Sequence, residues 1–126
     1  MSRTLFSTIL TVALSCASSA HAHHSWAMYD ADHIITVAGR VTRVEWTSPH
    51  VFLYFEADSE DGERVEWTVE MDPPVLLRRY GLLPSLIPEG TYVKFTGVPA
   101  RTGVKAMRAV YIELEDGTQI RTSSRV

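Results

Sequence analysis

The chain has 126 residues, 45% of them hydrophobic and 21% charged, and a formal net charge of −3. That length suits one small domain, and the acidic balance excludes a general nucleic-acid binder, which needs a basic surface to neutralise phosphates. The one cysteine, Cys16, excludes an intrachain disulfide and a thiolate metal cluster.

The first element is a leader. Arg3 supplies a thin positive start, Leu5 to Ala17 is mostly apolar, and small residues lead to an A-x-A site at Ala20-His21-Ala22. This is the pattern of a cleavable signal peptide over residues 1–22, too short to anchor in a bilayer. It implies a periplasmic or secreted protein. Ser18-Ser19-Ala20 offers a second cleavage site, and Cys16 sits in a poor context for lipidation. Cleavage after Ala22 leaves 104 residues without cysteine. Loss of Arg3 takes the 12 basic residues to 11 against 15 acidic ones, a net charge of −4. No later apolar run is long enough to cross a membrane.

Residues 23–33 read as a polar arm in which Trp26, Met28 and Tyr29 are the adhesive points. The folded domain then spans 34–122, with a tail over 123–126. A long first strand carries Ile35, Val37 and Val41 on one face, but Val44 and Trp46 on the other. The phase slip near Thr42-Arg43, with Gly39 just before it, predicts a bend or bulge. Val51 to Ala57 is the second strand, and Asp58-Ser59-Glu60-Asp61-Gly62 a turn. Arg64 to Glu70 alternates cleanly, with Val65, Trp67 and Val69 inward. Asp72 suits an N-cap and Pro73 a first turn, so a short helix follows, with Arg78 and Arg79 at its end and Gly81 as its stop. Tyr92 to Val98, Ala106 to Leu114 and Thr118 to Thr122 complete the strands, the last two joined by a hairpin at Glu115-Asp116-Gly117.

Three strands, a short helix and two or three more strands predict a mainly β domain. The best fit is a small OB-fold-like barrel of five to six strands, with the helix between strands 3 and 4. Closure removes the exposed sheet edges that so small a domain would otherwise present. An open antiparallel sheet or sandwich with one helix is the competing arrangement.

Several segments carry a resemblance. His23-His24-Ser25-Trp26, then Gly39 through Trp46-Thr47-Ser48-Pro49-His50, the Trp67 strand, Arg78-Arg79-Tyr80-Gly81, Pro88-Glu89-Gly90 and Gly97-Val98-Pro99-Ala100 together resemble the DUF6152 family of bacterial secreted domains of unknown function. The similarity covers essentially the whole mature chain. Members often have Asn where this chain has Ser48. The resemblance implies a compact β-barrel outside the cytoplasm, and it brings no catalytic residues with it.

The residues that best carry chemistry are histidines. Cleavage after Ala22 makes His23 the N-terminus, so an amine and an imidazole lie in one chelate. Copper(II) favours nitrogen ligands in a square arrangement. His24 stands beside it, and His50, held after Pro49, is the expected further ligand; His33 is the runner-up. The expected metal set is therefore His23, His24 and His50, with copper as the possible cofactor. The plain alternative is a polar spacer with surface imidazoles.

Trp26 is read either as packing onto the barrel or as a partner contact. Arg78 and Arg79, with Arg101 and Lys105, are candidates to frame an anionic ligand. Met28, Met71 and Met107 show no cluster and are read as gap-fillers. Glu45, Glu56, Glu66 and Glu70 are read as a solvated face. No nucleophile elbow, phosphate loop or dinucleotide fingerprint occurs. The chain is therefore read as a binding module rather than an enzyme, with a copper-dependent oxidase the minor enzymatic reading. A protein-interaction or small-ligand module without metal is the alternative function, its partner an unidentified periplasmic protein or small ligand.

Overall fold

A computed structural model describes residues 26–125. The leader, His23 and His24 lie outside the described residues. Six strands form one sheet: β1 Ile35–Glu45, β2 Val51–Asp58, β3 Arg64–Met71, β4 Tyr92–Pro99, β5 Ala106–Leu114 and β6 Gln119–Arg121. A helix, α1, Pro74–Tyr80, and one 3-10 turn, Pro84–Leu86, lie between β3 and β4. The strand order is β3-β2-β1-β4-β5-β6, and β3 also pairs with β5 in parallel, Val69 opposite Met107. That pairing closes five strands into a barrel, leaving β6 as an extra strand hairpinned onto β5. The connectivity is that of an OB-fold, and the open-sheet alternative is excluded.

The expected irregularity in β1 is present. The register of β1 on β2 shifts between Val41 and Arg43, and a second shift in β4 on β5 falls between Thr96 and Gly97. Such shifts bend a strand enough to let a small barrel close. Two glycines make room for the bends. A Cβ on Gly39 would lie 2.1 Å from the carbonyl oxygen of Glu56, and one on Gly97 would lie 2.2 Å from that of Arg108.

Alternation does the rest. In β2, Val51, Leu53, Phe55 and Ala57 turn inward and are buried. Phe55 meets Phe95 of β4 with ring centroids 5.4 Å apart at 41°, an offset tilt that aromatic pairs favour. Met71 and Met107 fill the interior as expected, but Met28 does not: it is 65% exposed. Leu77 of α1, with Leu82 and Ile87, joins the same core cluster. Trp46 and Trp67 are partly buried against it.

The helix start differs from expectation. Its N-cap is Pro73, with no side-chain cap. Asp72 is not free to cap because its carboxylate is engaged elsewhere. The helix end agrees: Arg78 and Arg79 occupy the last turn, and Gly81 takes the left-handed C-cap with φ 95°. No described helix is long and apolar enough to cross a membrane.

Candidate functional site

The inward alternation of β3 turns Arg64, Glu66, Thr68 and Glu70 to the outer side of the barrel. The arm and the tail fold over the last part of that outer face. Glu70 is consequently buried, 6% exposed, as are Asp72 and Arg108. The expectation of a solvated Glu70 is corrected here: a segment distant in sequence covers its strand.

Arg108 is the centre of the cluster. Its Nη1 donates to Glu70 Oε1 at 2.9 Å and to the Met71 carbonyl at 3.1 Å. Its Nη2 donates to Asp72 Oδ1 at 2.5 Å. The cross-strand register places Arg108 directly opposite Glu70, so the ion pair follows from the parallel β3–β5 closure. Its Nε is buried and has no hydrogen-bond partner among the described residues.

Tyr29 of the arm reaches in and donates its hydroxyl to Glu70 Oε2 at 2.7 Å. Burial first, and that bond second, push the phenol well above the ordinary tyrosine range. The arm backbone is pinned as well: Asp30 N–H donates to the Pro99 carbonyl at 2.8 Å, and Tyr29 bridges to Ala100. Trp26 packs onto the barrel, its ring lying 5.4 Å from the Arg108 guanidinium carbon.

His50 completes the cluster. Phe52 pairs with Glu70 across β2 and β3. His50 lies two residues earlier, on the same side of the strand, and so is a diagonal neighbour of Glu70. Its Nδ1 stands 3.0 Å from Glu70 Oε1, and its side chain is 19% exposed. The same oxygen takes the Arg108 bond. Burial and then the Arg108 guanidinium hold His50 below the usual histidine range, against the opposing pull of Glu70 and Asp72. That direction favours the uncharged ring. A carboxylate beside Nδ1 favours the tautomer with the proton there, which leaves Nε2 as a lone-pair nitrogen.

The other candidates are elsewhere. His33 is exposed and pairs with Asp30 at 2.7 Å. Arg78 and Arg79 are exposed on α1 and join none of the cluster's bonds. Arg101 donates to the Ala27 carbonyl at 3.3 Å and so supports the arm. Lys105 lies 5.5 Å from the Trp67 ring. Among the described residues, no group of three or more His, Cys, Asp or Glu is placed to hold a metal. Arg108 occupies the position between Glu70 and Asp72 where a cation would otherwise sit.

Sequence reasoning missed Glu70, Asp72, Tyr29 and Arg108 as a unit. The available signal was weak: Arg108 amid the mostly apolar Ala106 to Ile112, on the strand that pairs back to β3.

Fold and cluster define a small closed β-barrel with its N-terminal arm packed over one end of its outer face. The chain belongs to the DUF6152 family, a family of unknown function, whose model matches residues 11–108. The match spans the arm and every member of the cluster from Trp26 to Arg108. No curated protein matches the chain.

Proposed function

We propose that this protein is an exported β-barrel module that binds copper(II) at its mature N-terminus. The reading places cleavage after Ala22, so that His23 offers its α-amine and imidazole, with His50 Nε2 as the third nitrogen and His24 as an adjoining donor. The observation that carries it is the pairing of His50 with Glu70. Metal-binding histidines characteristically turn their second ring nitrogen to a carboxylate, which fixes the tautomer and raises the basicity of the ligating nitrogen. His50 has that neighbour and partial access.

Connectivity supports the rest. His23 precedes Trp26 by three residues, a reach of roughly 10 Å at most for extended chain. Trp26 stacks on Arg108, which shares one Glu70 oxygen with His50. His50 alone cannot hold copper tightly, so the proposed site depends on the free N-terminus. Two nitrogens in one chelate ring and a third from a separate strand suit the tetragonal preference of copper(II). The proposed role is binding or handling of the metal rather than catalysis.

The test is a copper(II) competition titration on exported protein whose N-terminus is confirmed by mass. One-to-one binding lost in both His23→Ala and His50→Ala supports the site. Affinity unchanged in His50→Ala removes the barrel from it.

One observation favours a second reading, an interaction module. Ala27, Met28, Ala100, Arg101, Val104 and Ala106 are among the residues that line a largely apolar hollow of about 320 Å³, and Met28 and Val104 are 65% and 61% exposed beside it. Recovery of one defined partner that is lost in Val104→Asp, from protein that binds no copper, would favour that reading.

A further inference from the structure

We infer that the C-terminal segment is a clamp on the N-terminal arm and that Arg125 is a positioning residue for the amine terminus; the second part rests on the copper reading. The segment after β6 is built into the cluster. Thr122 and Ser123 are fully buried. The Thr122 carbonyl accepts from Asp72 N–H at 2.9 Å, and Thr122 N–H donates to the Val110 carbonyl at 2.8 Å. Ser124 N–H donates to Asp72 Oδ2 at 2.6 Å, on the carboxylate whose other oxygen takes Arg108. Arg121 holds the same stretch from outside: its Nε donates to the Ser123 carbonyl at 2.6 Å and its Nη2 to that of Ser124 at 3.1 Å. Arg125 N–H donates to Ser123 Oγ at 3.1 Å.

The consequence of this bracing is the placement of Arg125. Its guanidinium carbon lies 5.8 Å from the Trp26 ring, whose indole also contacts Arg108 at 5.4 Å. Two guanidinium groups thus hold one indole, Arg108 from β5 and Arg125 from the tail. An indole is the best aromatic partner for a cation. The arm residue so fixed is the described residue nearest in sequence to His23 and His24. Holding Trp26 lowers the ordering cost of bringing the amine to His50, since each residue already fixed costs nothing further on binding. The clamp links the described part of the arm to the segment after β6 through one side chain.

The experiment uses mature exported protein, wild type, Arg125→Ala and Arg125→Lys. Amide hydrogen exchange is read without metal, and copper(II) affinity and release to a competing chelator are read with it. Arg125→Ala is expected to leave the thermal midpoint near that of wild type, because its side chain is on the surface. Exchange at Tyr29 and Asp30 is expected to quicken severalfold. Copper affinity is expected to fall roughly fivefold, the worth of one cation–π contact, with faster release. Arg125→Lys, which keeps a cation over the ring, is expected to recover most of both. Wild-type exchange in Arg125→Ala overturns the clamp, whatever copper does. Faster exchange with unchanged affinity and release overturns the positioning role. Failure of the copper reading is separately visible, as absence of tight binding in the wild type.

Discussion

His50 Nδ1 and Arg108 Nη1 approach the same oxygen of Glu70, at 3.0 and 2.9 Å. One carboxylate oxygen therefore faces both the only described histidine on the cluster and the guanidinium that neutralises it. Glu70→Gln keeps the shape but removes the charge that orients the imidazole. Copper(II) affinity is expected to fall about 10- to 100-fold, the usual effect of losing such a supporting carboxylate. A titration of Glu70→Gln that matches wild type would separate His50 from the proposed metal set.

The arginine itself is a structural keystone. Arg108→Met leaves two buried carboxylates, Glu70 and Asp72, without their shared cation. Removing one partner of a buried pair costs about 3–5 kcal/mol, a large part of what a domain of this size has to spare. Chemical denaturation of the variant against wild type reads this directly. A loss under about 1 kcal/mol, the range of a surface ion pair, would mean that the cluster is solvated.

Stability is expected to fall on acidification through His50. Its pKa is held below the ordinary value by burial and by Arg108. Between the folded and unfolded pKa values the unfolded chain binds more protons, so stability rises with pH there. The contribution is complete above the unfolded value of about 6.5 and is lost as pH falls through the folded one. His50→Gln is expected to flatten the urea midpoint between pH 7 and 5 relative to wild type. An equal slope in both proteins would assign the acid response to other groups.

Barrel closure places its own demand. Gly39→Ala and Gly97→Ala each drive a Cβ into a facing backbone carbonyl, at 2.1 and 2.2 Å. Backbone cannot rotate away as a flexible side chain does, so each variant is expected to lose about 1–3 kcal/mol, as overpacked sites do. Thermal unfolding checks it. Wild-type midpoints would show that the bends at Val41/Arg43 and Thr96/Gly97 tolerate a wider strand separation.

The fold was legible because its signals are local. Alternation in Arg64 to Glu70, the phase slip at Thr42-Arg43 and the Gly81 stop each follow from a few neighbouring residues, and the β5 limits agree residue for residue with Ala106–Leu114. The cluster was not legible for the opposite reason. Glu70 lies on the polar phase of its strand, and period-2 alternation reports only which side of a sheet a residue faces. Its burial comes with Tyr29, 41 positions away, and with Arg108 on the strand that closes the barrel. Asp72 has the residue type of an N-cap, but Pro73 takes that position and Arg108 and Ser124 claim the Asp72 carboxylate. His50 was legible as a candidate through Pro49 and its residue type; the carboxylate beside it required the β2–β3 register.

The free amine is the feature that the copper reading cannot do without. The most direct measurement compares mature protein beginning at His23 with the same protein acetylated at that α-amine, by copper(II) competition and electron paramagnetic resonance. Blocking the terminus removes one nitrogen and the chelate ring but leaves the barrel, His24 and His50 in place. The mature form is expected to bind one copper at least about 100-fold more tightly, a difference of about 2.7 kcal/mol, with a tetragonal multi-nitrogen signal that the acetylated form lacks. Equal affinity and equal spectra in the two forms would contradict a metal site at the N-terminus.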